Sequence, residues 1–422
     1  MADRRVARAD RAPESRAARV RAPDAPWGAR GAARRAGGGG APAARLRPLR
    51  QALVPLLAAA AAGESGDGRD DCEGDRRPRP PARRAVIWAR AEGCRVTLAD
   101  GRELLDLTGG FGVAALGHRN PRILEAWREQ EVVHALGDLA DAEVTVRLRE
   151  ALPRPAKLGV TGEDAVEIAL RTALLATGRP GIVAFEGAYH GTGLLALAAT
   201  GFDRFRAPFA AWLPGPVHRR TYGEDPGPLP GDAGCVIVEP VQGRAGSRVP
   251  PDGFLETLRS RCDEAGALLV VDSIYAGLGR VGEVWPGEQV ADVLCVGKAL
   301  GGGLPLSAAL FYREGLEAAW RLGPEDVYTH THVGNPLACA AGLVVLDEVP
   351  KLLDRVRDAG ERFEQAGWHG RGLLRAREGD ADEALACGVL VVPAGPDGSL
   401  IQATPPLTIT DAELDEAFER LS

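Results

Sequence analysis

The residue of this sequence best suited to covalent chemistry is Lys298, in the stretch CVGKALGGGLPL. Only three of the 51 basic residues are lysines, at positions 157, 298 and 351, so the chain uses arginine almost wherever a cation suffices. Arginine cannot replace an amine that reacts, because a guanidinium is not deprotonated in proteins and forms no Schiff base. Lys298 follows an apolar run and precedes a glycine-rich turn. We therefore predict a catalytic amine rather than a chance surface lysine.

Four short apolar runs alternate with segments of helical spacing. The runs are GIVAFE (181–186), CVIVEP (235–240), ALLVVD (267–272) and VLCVG (293–297). Such runs form parallel strands that are covered by helices on both faces. In open α/β sheets the site lies at the carboxyl ends of the strands. We therefore expect the polar residues at the ends of the runs to converge: Glu186, Glu239, Asp272 and Lys298.

Asp272 ends the run ALLVVD, and a carboxylate in that position needs a partner. Its desolvation is costly unless it meets a cation. A protonated pyridine nitrogen is such a cation, and an aspartate–pyridinium pair keeps pyridoxal phosphate acting as an electron sink. The alternative is an aspartate that only caps a helix at a strand–helix turn. The residue alone fits both interpretations.

Three loops carry further candidates. GVTGEDAVEIAL turns at Thr161-Gly162 into a helix, whose first N–H groups are suited to a phosphate. FEGAYHG places Tyr189 and His190 after a strand, where an aromatic ring either stacks on a flat cofactor or simply packs in the loop. THTHVGNP offers two histidines, at 330 and 332, but no third ligand lies nearby in sequence, so we predict no metal site.

The ordered chain is predicted to begin near Val86. VIWARAEGCRVTLADGRELLDL alternates apolar and polar residues around Asp100-Gly101, which is typical of a hairpin. We assign residues 85–120 and 336–422 to the two parts of a small α+β domain, and residues 121–335 to a large cofactor-binding domain. The extension 1–84 is rich in Arg, Ala, Pro and Gly. It is predicted to be disordered, because it buries too little apolar surface to fold alone.

The composition argues against several other classes of protein. A net charge of −7 disfavours general binding to nucleic acid. No apolar run reaches the roughly 18 residues that a membrane span requires, and the N-terminus lacks the layout of a signal peptide. The seven cysteines are scattered without a CxxC pair. We predict free thiols, several of them buried, in a cytoplasmic protein rather than disulfides or zinc ligands.

Residues 86–422 resemble the class III, fold type I aminotransferases, which use pyridoxal 5'-phosphate. The matching pieces occur in the family's order: LADGRELLDLTGGFGVAALGHRNP, TGEDAVEIAL, FEGAYHG, VIVEPVQG, VVDSIYAGLGRVG, VGKALGGGLPLSA, THVGNPLACAAG and PPLTITDAELDEAF. Each motif is modest evidence, whereas the ordered set is highly specific. The resemblance implies an α/β large domain with a mostly parallel central sheet. It also implies a smaller α+β domain built from both ends of the ordered chain, and a homodimer with shared active sites.

The resemblance also assigns roles to individual residues. Lys298 would hold the cofactor as a Schiff base, and Asp272 would pair with its pyridine nitrogen. Tyr189 would stack on the ring, and Thr331 would reach the phosphate in the neighbouring subunit. The cofactor-binding residues predicted in this way are Lys298, Asp272, Gly162, Glu163, Tyr189, His190, Tyr275 and Thr331.

The chain departs from the family's usual residues near the cofactor. Gly162 is followed by two acids, Glu163 and Asp164, whose side chains must point away from a phosphate because like charges repel. DSIYAG stands where many members have DEVQTG. Tyr275 therefore replaces a glutamine that commonly contacts the phenolic oxygen of the cofactor.

Two further departures concern the substrate. Several relatives that use glutamate carry an arginine three residues before the Pro-Pro pair, where it binds the α-carboxylate, and a glutamate after EPVQG that holds this arginine. This chain has Gln402 and Arg244 at these positions, and we assign both to the substrate site. A guanidinium binds a carboxylate bidentately, whereas an amide offers only neutral hydrogen bonds. We predict that Arg244 anchors the substrate's acid group; alternatively, it points to solvent or pairs with an acid such as Glu239.

The leading interpretation is an aminotransferase that moves an amino group from an amine or amino acid to a keto or aldehyde acceptor. Lys298 would serve as the base and acid of the proton transfer. A 2,1-aminomutase, racemase or epimerase of the same fold shares every cofactor residue, and the need for a second, keto-acid substrate separates it from an aminotransferase. A catalytically inactive relative that serves as a binding partner is less consistent with the presence of both Lys298 and Asp272.

Overall fold

The computed structural model describes residues 86–137, 139–320 and 328–422, so the predicted extension 1–84 lies outside the described residues. The strands are β1 (Trp88–Glu92), β2 (Arg95–Leu98), β3 (Glu103–Asp106), β4 (Ala156–Gly159), β5 (Gly181–Phe185), β6 (Val217–Arg220), β7 (Ala233–Val238), β8 (Leu268–Asp272), β9 (Val293–Val296), β10 (Ser307–Phe311), β11 (His369–Arg371), β12 (Leu374–Glu378), β13 (Val389–Leu390), β14 (Val392–Ala394) and β15 (Leu400–Ala403).

The α-helices of the described chain are α1 (Pro121–Arg128), α2 (Glu143–Ala151), α3 (Gly162–Thr177), α4 (Leu194–Ala199), α5 (Asp203–Arg206), α6 (Phe254–Ala265), α7 (Pro336–Glu348), α8 (Leu353–Gln365), α9 (Ala381–Ala386) and α10 (Asp411–Leu421), with a helical turn at Gly109–Gly112. Short 3₁₀ segments are Ala207–Trp212, Lys298–Gly301, Leu316–Trp320 and Val349–Leu352.

The main sheet of the described chain has seven strands in the order β4-β10-β9-β8-β7-β5-β6. Strands β5 to β9 pair in parallel, whereas β10 runs antiparallel to both of its neighbours. The four apolar runs of the sequence form β5, β7, β8 and β9. The prediction of an α/β fold with a mostly parallel central sheet is therefore confirmed.

Alternate residues of the central strands pack on opposite faces of the sheet. Ile237 and Val270 lie on the face that is covered by α3, together with Ile168. Their neighbours Val238 and Val271 belong to the hydrophobic core on the other face. Because both faces are buried, these strands are continuously apolar in sequence, without the alternation of a half-exposed strand.

Strands from both ends of the described chain meet in one of the smaller sheets, in the order β1-β2-β3-β13. The hairpin predicted around Asp100-Gly101 is formed by β2 and β3, and β13 joins β3 in parallel at Leu105 and Asp106. The other small sheet has the order β11-β12-β15-β14. The small domain therefore draws on both ends of the ordered chain, as predicted, while its boundaries at residues 120 and 335 stay predictions.

Side-chain caps mark the starts of two helices that bound the site and the C-terminus. Thr161 and Asp164 form a capping box at the start of α3. Thr410 and Glu413 do the same for α10. Each box satisfies N–H groups that would otherwise be unpaired at a helix start.

Most of the described cysteines are buried. Cys94, Cys235, Cys262, Cys295 and Cys339 lie in the core, whereas Cys387 is exposed. Burial raises the pKa of the Cys339 thiol to about 11, which favours its protonated form. Within the described ranges, no helix combines the length and the apolar character needed to cross a membrane.

Candidate active site

The carboxyl ends of β7, β8 and β9 open onto a cavity of about 530 Å³. Glu239 follows β7, Asp272 ends β8 and Lys298 follows β9, and all three line this cavity. The prediction that Glu186 joins them is wrong. Its backbone N–H donates to Arg220 O and so continues the pairing with the edge strand β6, and Glu186 itself is exposed.

Lys298 stands at the turn that leaves β9. Its φ of 36° lies in the left-handed region that residues other than glycine seldom adopt. The turn places Nζ 4.3 Å from the centroid of the Tyr275 ring. Burial lowers the pKa of Lys298, although Asp272 and Glu239 act in the opposite direction. The net shift favours the neutral amine, which is the form that acts as a nucleophile or a base.

Asp272 is buried and held in one orientation. His190 Nδ1 lies 2.8 Å from Asp272 Oδ2, and the backbone N–H of Ile274 donates to Oδ1 over 3.1 Å. His190 is fixed in turn, because its backbone N–H donates to Thr200 Oγ1. The other ring nitrogen of His190, Nε2, is buried without a hydrogen-bond partner among the described residues.

Glu239 is a second buried acid that lines the cavity. Its Oε2 accepts a hydrogen bond of 3.0 Å from the backbone N–H of Tyr189. Burial raises the pKa of Glu239 well above its usual range, and the charge of Asp272 adds to this effect. The shift favours the neutral form of Glu239 and limits the negative charge that accumulates in the cavity.

The start of α3 forms one wall of the cavity. The acids of its first turn are engaged away from that wall: Glu163 Oε2 accepts from the backbone N–H of Thr192, and Asp164 Oδ2 accepts from that of Thr161, both over 2.9 Å. The backbone N–H groups of Gly162 and Glu163 donate to no other described residue. The wall therefore presents two unpaired donors at the positive end of a helix.

Tyr189, Phe205 and Arg244 form another part of the lining. The two rings meet edge to face with centroids 5.4 Å apart. The guanidinium carbon of Arg244 lies 5.4 Å from the centroid of Tyr189 and 5.8 Å from that of Phe205. Arg244 forms no salt bridge with any described carboxylate, Glu239 included. A partly buried cation therefore faces the cavity without a counter-ion from the described chain.

Tyr275 lines the cavity, whereas Gln402 does not. The Tyr275 hydroxyl donates to Gln402 Oε1 over 2.9 Å. Gln402 Nε2 donates to Gly243 O at 2.6 Å and to Ser247 Oγ at 2.9 Å. Protein groups therefore use both N–H donors of this buried amide and one acceptor site of its oxygen.

Thr331 is exposed and does not line this cavity. Its carbonyl oxygen accepts a hydrogen bond from His134. The neighbouring His330 lies 3.3 Å from Asp164 Oδ1, and the His332 ring lies 5.5 Å from that of His134. Over the described ranges, no group of three or more side chains is placed to hold a metal. The predicted role of Thr331 in a neighbouring subunit stays a prediction.

Three apolar residues of the lining were not predicted from the sequence. Phe111 lies in the turn TGGFG with a φ of 60°, Phe205 lies in the one-turn helix α5, and Ile274 follows Asp272. A titratable residue at the end of a buried strand can be recognised from the sequence, because its burial costs free energy unless the residue is paired. A lone aromatic in a short helix gives no such signal, so Phe205 could be found only from the folded chain.

The geometry agrees with the class of enzyme that the sequence resembles. A family model described as "Aminotransferase class-III" matches residues 79–225 and 229–367. This match covers more than half of the chain. The chain belongs to the class III aminotransferase family.

Curated relatives lead to the same family. The chain is 36% identical over 370 residues to an acetylornithine aminotransferase of Methanopyrus kandleri, covering 80% of this chain and 93% of the relative. It is 31% identical to a 5-aminovalerate aminotransferase of Pseudomonas aeruginosa, with 80% and 92% covered. It is 30% identical to a 4-aminobutyrate aminotransferase of Escherichia coli, again with 80% and 92% covered.

Solved structures of transaminases share the fold. An ornithine aminotransferase from Toxoplasma gondii has a TM-score of 0.73 at 26% identity, with 81% of this chain and 90% of that chain covered. An amine transaminase from an uncultivated Pseudomonas species, in its form with bound pyridoxal phosphate, has a TM-score of 0.73 at 26% identity, with 83% and 98% covered. This chain is therefore a pyridoxal-phosphate-dependent enzyme that transfers amino groups.

The described residues fit this cofactor. Asp272 is a buried acid suited to a pyridinium, and Lys298 offers an amine to the same cavity. The unpaired N–H groups of Gly162 and Glu163 suit a phosphate. A cavity of about 530 Å³ lies within the range of small-molecule sites.

Proposed function

We propose that this aminotransferase acts on ω-amino acids, which carry an amine at one end and a carboxylate at the other. The observation that carries the proposal is Arg244, a cation without a counter-ion in the same cavity as Lys298. Lys298 faces the amine end of the substrate, and Arg244 binds the acid end. The relatives named for 5-aminovalerate and 4-aminobutyrate act on compounds of this class.

Lys298 and Asp272 carry the chemistry. Pyridoxal phosphate, when bound, supplies an electron sink for the carbon that bears the amino group. With the cofactor bound, the Lys298 amine would be the base that takes the proton from this carbon and the acid that gives a proton back, a role that its lowered pKa suits. Asp272 would stabilise the positive charge of the pyridine nitrogen, and His190 keeps the carboxylate in place.

Four further residues would position the cofactor. The N–H groups of Gly162 and Glu163 would hold the phosphate, because the carboxylate of Glu163 is turned toward Thr192 and leaves that space. The Tyr189 ring would stack on the cofactor ring. Tyr275, which lies beside Lys298, would border the cofactor.

Arg244 binds the acid group of the substrate. Its guanidinium lies against Tyr189 and Phe205, so that it is held in the cavity while its donors stay free. A guanidinium pairs bidentately with a carboxylate, which gives geometric as well as energetic selectivity. The apolar side chains of Phe111 and Ile274 suit the methylene chain between the two ends of such a substrate.

Changing Arg244 to Gln should raise the KM for 5-aminovalerate by about 10- to 100-fold, which corresponds to the roughly 1.5–3 kcal/mol of a hydrogen bond to a charged group. The KM for pentylamine, which has the same chain length without the carboxylate, should change by less than about twofold. Steady-state kinetics with both amines measures the difference. Arg248→Gln is the matched control, because Arg248 pairs with Gln242 where the same turn closes and does not line the cavity. An equal change for both amines would contradict the proposed anchor.

We further propose that the enzyme is a cytoplasmic homodimer. Large apolar side chains are exposed next to the loop that holds Thr331: Val133 at 79%, Leu136 at 70% and Leu139 at 77%. His134 of the same segment hydrogen-bonds to Thr331 O. An apolar surface of this kind favours burial against a second copy, and Thr331 would then face the partner's phosphate. The buried free cysteines support a reducing compartment.

Changing Leu136 to Asp should weaken the dimer by about 10-fold or more, because a buried leucine is worth roughly 1.5–3 kcal/mol and a buried charge costs more. Analytical ultracentrifugation over a dilution series measures the dissociation constant. Leu175→Asp is the control, because Leu175 is also exposed but lies on α3, away from this segment. A wild-type monomer with full activity would refute the homodimer.

A further inference from the structure

The turn that carries Arg244 rests on the strand that carries Gln402. We infer that Gln402 is a positioning residue, which fixes Arg244 and Tyr275 in the wall of the cavity and so sets the length of substrate that fits between Arg244 and Lys298. The inference rests on the proposed role of Arg244. Gln402 acts through these residues, since it does not line the cavity itself.

Hydrogen bonds connect Gln402 to both ends of the turn 243–247. Its Nε2 donates to Gly243 O at 2.6 Å and to Ser247 Oγ at 2.9 Å. Its Oε1 accepts from the Tyr275 hydroxyl over 2.9 Å. Gln402 and Ser247 are almost completely buried, at 1% and 0% exposure. One side chain therefore ties together the residues that flank Arg244 and the tyrosine beneath Lys298.

Packing supports the same connection independently of the hydrogen bonds. A Cβ at Gly243 would lie 2.3 Å from Cδ1 of Tyr275, and a Cβ at Gly246 would lie 2.3 Å from Cδ1 of Leu400. Leu400 belongs to β15, the strand of Gln402. The turn can approach the tyrosine and the strand this closely only because both positions are glycine.

The backbone and side chain of Arg244 are both confined. Its carbonyl oxygen accepts from Gly395 N over 3.1 Å. Its guanidinium lies against Tyr189 and Phe205, with no ion pair to a described acid that would have to break when substrate binds. An anchor that is assembled before binding loses little freedom on binding and holds a defined separation from Lys298. The chain length of the preferred amino acid should follow from that separation.

A double-mutant cycle on the cofactor-bound enzyme tests the connection. Valerate serves as the probe, because it carries the carboxylate and the methylene chain without a reactive amine, and calorimetry gives its dissociation constant. Arg244→Gln should weaken binding by about 10-fold or more, and Gln402→Ala by about 5- to 10-fold. The double variant should be no more than about twofold weaker than Arg244→Gln alone, because residues that act through one another are not additive.

Selectivity for chain length supplies a second readout. The ratio of kcat/KM for 5-aminovalerate to that for its neighbours with one methylene fewer or more should fall by about 5-fold in Gln402→Ala. Turnover at saturation should change less than KM, since Gln402 does not touch the reacting atoms. Ser247→Ala removes one hydrogen bond and keeps the side chain of Gln402. Ser247→Ala should reduce the chain-length selectivity in the same direction but to a smaller extent. It replaces Gln402→Ala as the test if that variant does not fold.

The outcomes separate the two proposals. If Gln402→Ala weakens valerate binding equally in the wild-type and Arg244→Gln backgrounds, the positioning role is overturned while the anchor stands. Unchanged valerate binding in Arg244→Gln overturns the anchor and, with it, the inference about Gln402. Unchanged chain-length selectivity in both Gln402→Ala and Ser247→Ala overturns the positioning role as well.

Discussion

Replacing Lys298 with alanine should lower turnover by about 10⁴-fold or more, because the change removes the amine that we propose as both the attachment point of the cofactor and the acid–base group of the proton transfer. Lys298→Arg should lower turnover to a similar extent. It preserves a positive charge, but a guanidinium is not deprotonated under these conditions and cannot serve as the base. The pair of variants therefore separates the need for a reactive amine from the need for a charge.

The position of Lys298 explains why no other lysine in the described chain should substitute for it. Lys157 lies 5.4 Å from the Trp320 ring, and Lys351 forms ion pairs with Asp347 and Glu348; neither lines the cavity. Borohydride reduction of the wild-type enzyme, followed by peptide mass spectrometry, should find the cofactor attached to Lys298. Lys157→Arg and Lys351→Arg should keep turnover within about twofold. Cofactor attached to either of these lysines would refute the assignment.

The fold could be predicted where burial and chemistry leave a pattern in sequence. Strands buried on both faces appear as continuous apolar runs. A polar residue at the end of such a run either has a function or destabilises the fold through its desolvation. The sequence alone identifies Asp272 and Lys298 as candidates for this reason. It identifies Arg244 by a change of charge at a position where relatives carry an acid.

The same pattern failed where the neighbouring strand decides the outcome. Glu186 also ends an apolar run, but it follows β5 next to the edge strand β6, where its N–H continues the pairing with Arg220 and its side chain is exposed. The sequence GIVAFE does not indicate which strands pair with it. The pairing with a strand that lies elsewhere in the sequence, here through Arg220, decides the outcome, and periodicity does not record it.

Gln402 shows the same limit for side chains. From the sequence it stands where relatives place a substrate-binding arginine, so it was assigned to the substrate site. In the folded chain its amide is hydrogen-bonded to Tyr275, Gly243 and Ser247, which lie 127 to 159 residues away in sequence. The identity of the residue was informative, but its partners belong to the tertiary structure.

Changing Asp272 to Asn should lower turnover by about 10²- to 10³-fold, comparable with the loss of one preorganised electrostatic partner of a reacting group. Asparagine keeps the size of the side chain and removes the charge that stabilises a pyridinium. The variant should still bind pyridoxal phosphate, because the N–H groups of Gly162 and Glu163 and the amine of Lys298 are unchanged. Absorbance and fluorescence titration measure binding, and single-turnover kinetics measures the chemical step.

His190 should matter through Asp272 alone. Its Nδ1 lies 2.8 Å from Asp272 Oδ2, and hydrogen bonds to charged groups are worth roughly 1.5–3 kcal/mol, so His190→Gln should cost about 10- to 100-fold in turnover. In the Asp272→Asn background the same change should cost less than about threefold, because the group that it orients has lost its charge. Independent effects would show that His190 acts elsewhere.

Asp292→Asn supplies the control that separates chemistry from stability. Asp292 is buried immediately before β9, away from the cavity, and it pairs with Arg259 at 2.9 Å and with Arg313 at 2.7 Å. Its loss leaves two cations without their acid, so thermal unfolding should shift to lower temperature while turnover of the folded enzyme stays within about twofold. Asp272→Asn should show the opposite balance, with a small shift in unfolding and a large loss of turnover. If both variants lost stability and turnover in proportion, Asp272 would be a structural residue, and the assignment of the pyridine partner would fall.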